Sequence, residues 1–209
     1  MHRLCRATRD KNVSHFFVSS HMKLNAIQRL RHHTSGPLAS IISQQNTIRL
    51  MDFLITDIKN KDRNLITAFI IENWGSPIIV TRGRIHNSAE LSGFVYKENN
   101  KITGLVMFKI ENDRCEIISL DSKIENKGLG TSLINKVIDY SRENGCKKIW
   151  LITTNDNIKA IKFYQKRGFQ WTGFYKNVIE VSRKLKPEIP ELGFNGIPIK
   201  HEIEFELQL

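Results

Sequence analysis

Cysteine is scarce in this sequence, and the few cysteines are widely separated. The 209 residues contain three of them, Cys5, Cys115 and Cys146. Neither the even number of a disulfide framework nor the close spacing of a zinc site occurs. We therefore expect free thiols in a reducing compartment, no bound metal, and a cytoplasmic protein.

Long apolar runs are also missing, although hydrophobic residues make up 40% of the chain. No run approaches the roughly 18 residues that a membrane-spanning helix needs, and none has the length of the apolar region of a secretory signal. A chain of this size can bury a substantial core. The sequence thus predicts a globular domain and excludes the class of helical membrane proteins.

Acidic residues are nearly absent from the first 50 positions. These residues include eight Lys or Arg and a single acid, Asp10, and they carry +7 of the formal net charge of +11. Three interpretations compete: a disordered extension, an organelle transit peptide, and a basic arm for nucleic acid. Because neither a clear amphipathic helix nor interleaved aromatic residues occur, we favour a disordered extension over residues 1–50 and one domain over 51–209. The concentration of charge in the extension argues against nucleic-acid binding by the domain itself.

One informative pattern lies between Glu116 and Gly130. Its first half is apolar and partly β-branched, which indicates a half-buried strand. A polar loop then leads to Gly128-Leu129-Gly130, and apolar residues at helical spacing follow. Glycines at a helix start allow a ligand to approach the backbone, and the free N–H groups there suit a phosphate or pyrophosphate. On spacing alone, the same pattern is about as typical of a simple tight turn.

A second pattern lies between Asn157 and Phe169. A helix there places an amide at the start of one stripe and the phenol of Tyr164 two turns later, while lysines occupy another stripe. Asn155 or Asp156 is placed to cap this helix and Gly168 to end it. Without further information, Tyr164 is also consistent with a core aromatic residue whose hydroxyl reaches water.

Together the two patterns resemble motifs A and B of the Gcn5-related N-acetyltransferases, the GNAT superfamily. Motif A, Gln/Arg-x-x-Gly-x-Gly/Ala, corresponds to residues 125–130, with Glu125 in place of the usual Gln or Arg. Because an acid beside a pyrophosphate is unfavourable, we predict that Glu125 points away from the pyrophosphate. Motif B, Asn-x-x-Ala-x-x-Phe-Tyr-x-Lys-x-Gly-Phe, is matched at Asn157, Ala160, Phe163, Tyr164, Lys166, Gly168 and Phe169.

The remaining periodicity completes a mixed α/β order. We predict strands at 53–58, 78–81, 148–153, 169–175 and 199–207, a hairpin over 93–110, and a helix over 62–73. Residues 82–86 read as a basic loop, and residues 184–198 as loops. The resemblance implies the acyl-CoA N-acyltransferase fold, a mixed α/β sheet with helices on both faces. In that fold the strands from Cys115 and Lys148 are parallel and splay apart around the cofactor.

The resemblance also implies the transfer of an acetyl group from acetyl-CoA to a primary amine by direct attack in a ternary complex. The extended pantetheine arm can pair with an open strand edge, and Asn157 can contact it from across the wedge. The implied cofactor-binding residues are Leu120, Asp121, Ser122, Gly128, Leu129, Gly130, Thr131 and Asn157.

Two proton transfers accompany such a reaction. Tyr164 is the predicted general acid for the departing thiolate. Glu116 is the predicted catalytic base, Asp121 and His86 are alternatives, and an ordinary solvated or structural role stays open for each. Arg82, Arg84, Trp74 and His86 form a predicted rim for an anionic acceptor, or simply a basic surface loop.

The acceptor is not readable from the sequence; it is a small-molecule amine or a protein amino group. A non-catalytic CoA-binding module, or a basic RNA-associated factor, is the alternative function. The paired Asn157 and Tyr164 favour the enzyme, because a module without catalysis does not need the phenol. The alternating C-terminal strand is a candidate for pairing with a second subunit, which would form a homodimer.

Overall fold

The structure is a computed structural model, and it describes residues 54–124 and 126–209. The predicted extension over 1–50 and the predicted orientation of Glu125 lie outside the described residues. A seven-stranded sheet has the order β1-β4-β5-β6-β7-β9-β8, and β2 and β3 form a separate hairpin. The strands are β1 Thr56–Asp57, β2 Ile78–Thr81, β3 Arg84–Asn87, β4 Ser92–Glu98, β5 Lys101–Glu111, β6 Arg114–Ser122, β7 Lys148–Thr154, β8 Gln170–Tyr175 and β9 Glu202–Gln208.

Four α-helices accompany the strands in the described part of the chain. They are α1 Arg63–Trp74, α2 Leu129–Glu143, α3 Ile158–Gln165 and α4 Ile179–Leu185. Short 3-10 helices occupy Asn60–Asp62 and Phe194–Gly196. None of the helices in these residues combines the length and the apolar character that a membrane span requires.

The sheet separates two apolar cores. One core contains Leu133 and Val137 of α2 and Phe205 of β9, and the other contains Ile66 and Ile70 of α1. Helices therefore cover both faces, as predicted, and the mixed splayed sheet is confirmed. The β6–β7 pair is parallel, whereas the other pairs recorded in this sheet are antiparallel.

Most predicted elements are present, with three differences. Residues 82–86 are not a loop: Arg82 and Gly83 form a two-residue turn with φ of 49° and 69°, and β3 follows. Helix α4 ends inside the stretch predicted as loops. The C-terminal strand β9 hydrogen-bonds β7 on one side and β8 on the other, so it has no free edge for a second subunit.

The two described cysteines, Cys115 and Cys146, are buried and form no disulfide bond. Burial raises the pKa of the Cys115 thiol to about 12, so this thiol stays protonated at neutral pH. The prediction of free thiols is confirmed for these two residues. Cys115 behaves as a small buried apolar residue rather than as a nucleophile.

Candidate functional site

The two parallel strands separate at a β-bulge. Pairing of β6 with β7 runs from Arg114 opposite Lys148 to Ile117 opposite Leu151 and stops there, although both strands continue. On its other side β6 carries one extra residue, Ile118, relative to β5. A bulge bends a strand and increases its twist, which accounts for the position at which β6 leaves β7.

Beyond the bulge, β6 offers an open backbone edge. Leu120, Asp121 and Ser122 pair with β5 opposite Val106, Leu105 and Gly104. On the side toward β7, no strand of the described residues pairs with them. Backbone N–H and C=O groups on an unpaired edge seek partners, so this edge is suited to an extended, amide-bearing ligand.

The start of α2 lies at the end of β6 and its following loop. The helix begins after Gly128, which has φ of 87° and provides no side-chain cap, and the first turn contains no acid. The first-turn N–H groups, those of Leu129, Gly130 and Thr131, have no partner within the helix. A side chain at Gly130 would place its Cβ 3.3 Å from the Phe163 ring. An uncapped helix start with glycines fits an anionic group.

Helix α3 approaches the same region from β7, and its cap differs from the prediction. Asn157 is the N-cap residue, and its Oδ1 accepts a hydrogen bond from the Ala160 N–H at 3.1 Å. Asn155 and Asp156 instead accept backbone N–H groups of the C-terminal segment, at Lys200 and Phe194. The Asn157 amide nitrogen donates to no group in the described ranges, which leaves it free for a ligand.

Tyr164 lies on α3 and is buried in an aromatic cluster. Its ring centroid is 5.2 Å from that of Phe163, 5.4 Å from that of Phe169 and 6.3 Å from that of Phe205. Burial raises the pKa of the phenol, and the negative charge of Asp121 raises it further. The phenol is therefore a protonated hydrogen-bond donor throughout the neutral range.

Asp121 lies on the opposite face of β6 from the α2 helix. Leu120 packs against the core that contains α2, so its neighbour points to the α1 side, where Trp74 Nε1 donates to Asp121 Oδ1 at 3.0 Å. Asp121 Oδ2 is buried without a hydrogen bond of good geometry from the described residues. Burial raises the pKa of Asp121 to about 6, against smaller opposing effects of Trp74 and the nearby Ser119 hydroxyl.

Glu116 faces the same side as Asp121. Cys115 and Ile117 belong to the core beside α2, so the side chain between them points to the other face. Glu116 is buried and its Oε1 accepts a hydrogen bond from Thr81 Oγ1 at 3.1 Å. Burial raises the pKa of the Glu116 carboxyl, while the Thr81 hydrogen bond lowers it.

His86 extends this buried group to three residues. Its Nε2 lies 2.9 Å from Thr81 Oγ1. The Thr81 hydroxyl donates its proton to Glu116 and can therefore only accept from His86. The tautomer of His86 with a proton on Nε2 thus completes a hydrogen-bonded chain from His86 through Thr81 to Glu116. Burial lowers the pKa of His86, and the charges of Lys109 and Arg84 lower it further. The sequence indicated Glu116 and His86 separately, but it carried no indication of Thr81.

In the predicted anionic-acceptor rim, His86 is buried and both arginines contact carboxylates. Arg82 Nη1 contacts Glu204 Oε2 at 3.1 Å, its backbone N–H donates to Glu202 at 3.0 Å, and its guanidinium lies 4.4 Å from the Tyr175 ring centroid. Arg84 pairs with Glu111 at 3.7 Å. Each arginine thus already has a carboxylate partner. The partners of Arg82 are acids of β9, and the sequence pattern did not connect them with Arg82.

Arg167 is a further residue that the sequence analysis missed. Its Nη2 donates to the hydroxyl of Thr131 in the first turn of α2, and its guanidinium lies 3.4 Å from the Phe163 ring centroid. It occupies a position that motif B leaves variable, so the motif could not identify it. Among the residues that the structure describes, no cluster of His, Cys, Asp and Glu could hold a metal ion.

Comparison with known proteins gives a consistent result. The family model described as the acetyltransferase (GNAT) family matches residues 58–169. The uncharacterised Bacillus subtilis proteins YxbD and YdhI are 49% and 46% identical to this chain, over 68% of it in each case and over 89% and 90% of their own lengths.

A solved structure agrees at the level of the fold. A GNAT family acetyltransferase from Elizabethkingia anophelis, with acetyl-CoA bound, matches with a TM-score of 0.54 and 22% identity. The match covers 75% of this chain and 99% of that chain. A second neighbour, an acetyltransferase from Bacillus cereus, has a TM-score of 0.56 and 17% identity, with 74% and 98% coverage.

Proposed function

Because the chain belongs to the GNAT family of acetyltransferases, we propose that it transfers an acetyl group from acetyl-CoA to a primary amine by direct attack in a ternary complex. One observation carries the proposal: β6 and β7 part at the bulge, and around this point Tyr164 lies in the core on one face of the sheet while Glu116 and Asp121 point to the other face. A substrate bound where the strands separate would thus have a proton donor toward one face of the sheet and a proton acceptor toward the other.

Acetyl-CoA supplies the thioester whose carbonyl carbon the amine attacks, so that a C–N bond forms and the C–S bond breaks. The residues that would hold it are the open edge of Leu120, Asp121 and Ser122, the first turn of α2 from Gly128 to Thr131, and the free amide of Asn157. The unpaired edge and the uncapped helix start support this assignment, because both present backbone donors without partners.

Glu116 is the proposed base. An amine is protonated in water near neutral pH, and its nitrogen must lose a proton before it can attack. Burial raises the pKa of Glu116, which makes the carboxylate a stronger base than an exposed glutamate, and Thr81 holds it in place at 3.1 Å. Asp121 lies on the same face and is the alternative base.

Tyr164 is the proposed proton donor. The phenol donates its proton to the departing thiolate. The attacking nitrogen loses its second proton once the C–N bond has formed, and this proton returns to the phenolate, which regenerates Tyr164. Burial raises the pKa of the phenol. The same apolar surroundings also raise the proton affinity of a thiolate in the gap. The pKa of the phenol and the pKa of the CoA thiol therefore rise together.

The acceptor is a small-molecule amine or a protein amino group, and a cytoplasmic location is part of the proposal, supported by the free buried thiols. Incubation of the protein with acetyl-CoA and a panel of diamines, amino acids and peptides tests the activity, with free thiol release as the readout. We expect thiol release with at least one amine, and a much lower rate of thiol release in the Glu116→Gln variant. Binding of CoA without thiol release on any amine would favour the non-catalytic module.

A further inference from the structure

Arg167 joins the end of α3 to the start of α2. Its Nη1 donates to the Phe163 carbonyl at 2.7 Å, its Nη2 donates to the Thr131 hydroxyl, and its planar group stacks on the Phe163 ring at 3.4 Å. Phe163 in turn lies against Gly130, where an added Cβ would be 3.3 Å from the ring. The guanidinium is thereby held beside the first turn of α2.

The charge of Arg167 is not balanced within the described residues. No carboxylate there forms an ion pair with it, and the first turn of α2 contains no acid. A guanidinium carries five N–H donors, of which two have protein acceptors here, and the Nε–H is buried without a partner. A fixed cation with spare donors is suited to an anion, and guanidinium groups bind phosphate oxygens through paired hydrogen bonds.

We propose that Arg167 binds the pyrophosphate of CoA together with the N–H groups of the first turn of α2. The inference rests on the proposed function, since it presupposes that CoA occupies the gap. Arg167 would supply a positive charge at this helix start. Position 125, before the glycines, does not supply one, because it is an acid in this sequence. Arg167 is in this view a specificity-determining residue for phosphorylated acyl carriers.

Three ligands separate the possible roles. CoA has the pyrophosphate and the 3′-phosphate, dephospho-CoA keeps only the pyrophosphate, and pantetheine has neither. Affinities of the full chain are measured by calorimetry for the first two ligands and by ligand-observed NMR for pantetheine. The variants are Arg167→Gln, which keeps a hydrogen-bonding group without the charge, and Arg167→Lys, which keeps the charge.

The matched control is Lys166→Gln, which removes the same charge from the exposed neighbouring residue. A charge-assisted hydrogen bond contributes enough for about a 10- to 100-fold loss of affinity. We expect a loss of that size in Arg167→Gln for CoA and dephospho-CoA alike, none for pantetheine, and a partial recovery in Arg167→Lys. In Lys166→Gln the change should stay below about threefold, because an exposed charge is screened by salt.

Other outcomes overturn the inference. Equal affinity of wild type and Arg167→Gln for CoA removes Arg167 from phosphate binding. A loss that extends to pantetheine indicates a structural role through Phe163, and a loss for CoA but not dephospho-CoA assigns Arg167 to the 3′-phosphate instead. If the wild type binds none of the three ligands, the proposed function itself fails.

Discussion

The hydroxyl of Thr81 donates a hydrogen bond to the carboxylate of Glu116 across 3.1 Å, although the two residues are 35 positions apart. Thr81 ends β2, a strand of the small hairpin outside the main sheet, and Glu116 lies on β6 two residues before the bulge. The hairpin therefore supplies a hydrogen bond to the proposed base.

Replacement of Thr81 by Val should change the pH dependence of the reaction. The hydrogen bond from Thr81 lowers the pKa of Glu116, so its loss should raise that pKa. A base must be deprotonated to act, and the acidic limb of kcat/KM should therefore move to higher pH. Thr81→Ser keeps the hydroxyl and should retain the wild-type profile. Identical profiles for the Val and Ser variants would exclude this role.

Replacement of Tyr164 by Phe should lower kcat with little change in CoA affinity. The lost donor interaction forms mainly in the transition state, and general acid catalysis contributes about 10²–10⁴-fold. Rates are measured where the chemical step limits turnover. Tyr140→Phe is the control, because Tyr140 packs against the core, with its ring centroid 5.4 Å from that of Phe108. A wild-type kcat in Tyr164→Phe would assign the proton to water or to the bound amine.

Replacement of Gly128 by Val should weaken CoA binding strongly. Gly128 has φ of 87°, a conformation that a β-branched residue rarely adopts, and a Cβ there would obstruct access to the helix start. Gly145→Val is a matched control, because Gly145 has φ of 73° and a Cβ added to it would meet no described atom within 4 Å. Both variants should lose stability on thermal denaturation, but calorimetry should show a loss of CoA affinity only in Gly128→Val.

Removal of residues 1–50 should leave a protein that folds and binds acetyl-CoA. Those residues are compositionally distinct, with +7 of the net charge and one acid, and the first predicted strand follows them. Circular dichroism and calorimetry on a chain starting at Met51 check this. An insoluble product, or one that does not bind acetyl-CoA, would show that the removed segment belongs to the domain.

The sequence by itself determined the family and the order of the main elements. The glycines at 128 and 130, Asn157 and Tyr164 identified both motifs, and apolar spacing predicted α1, α2 and the central strands. These features are local: a helix start, a turn and an amphipathic stripe depend on residues within about one or two turns of one another. The assignment of roles to the site residues stays a prediction.

Only the tertiary structure decided which distant residues meet. Alternation along β9 showed that Glu202 and Glu204 share a face opposite Ile203 and Phe205, but not that this face is buried and bonded to Arg82. Thr81 and Arg167 each have one hydrogen-bond partner far along the chain, Glu116 and Thr131, at 35 and 36 positions. Such contacts depend on how the hairpin and the helices pack on the sheet, and a periodic pattern specifies which face a residue occupies but not what covers that face.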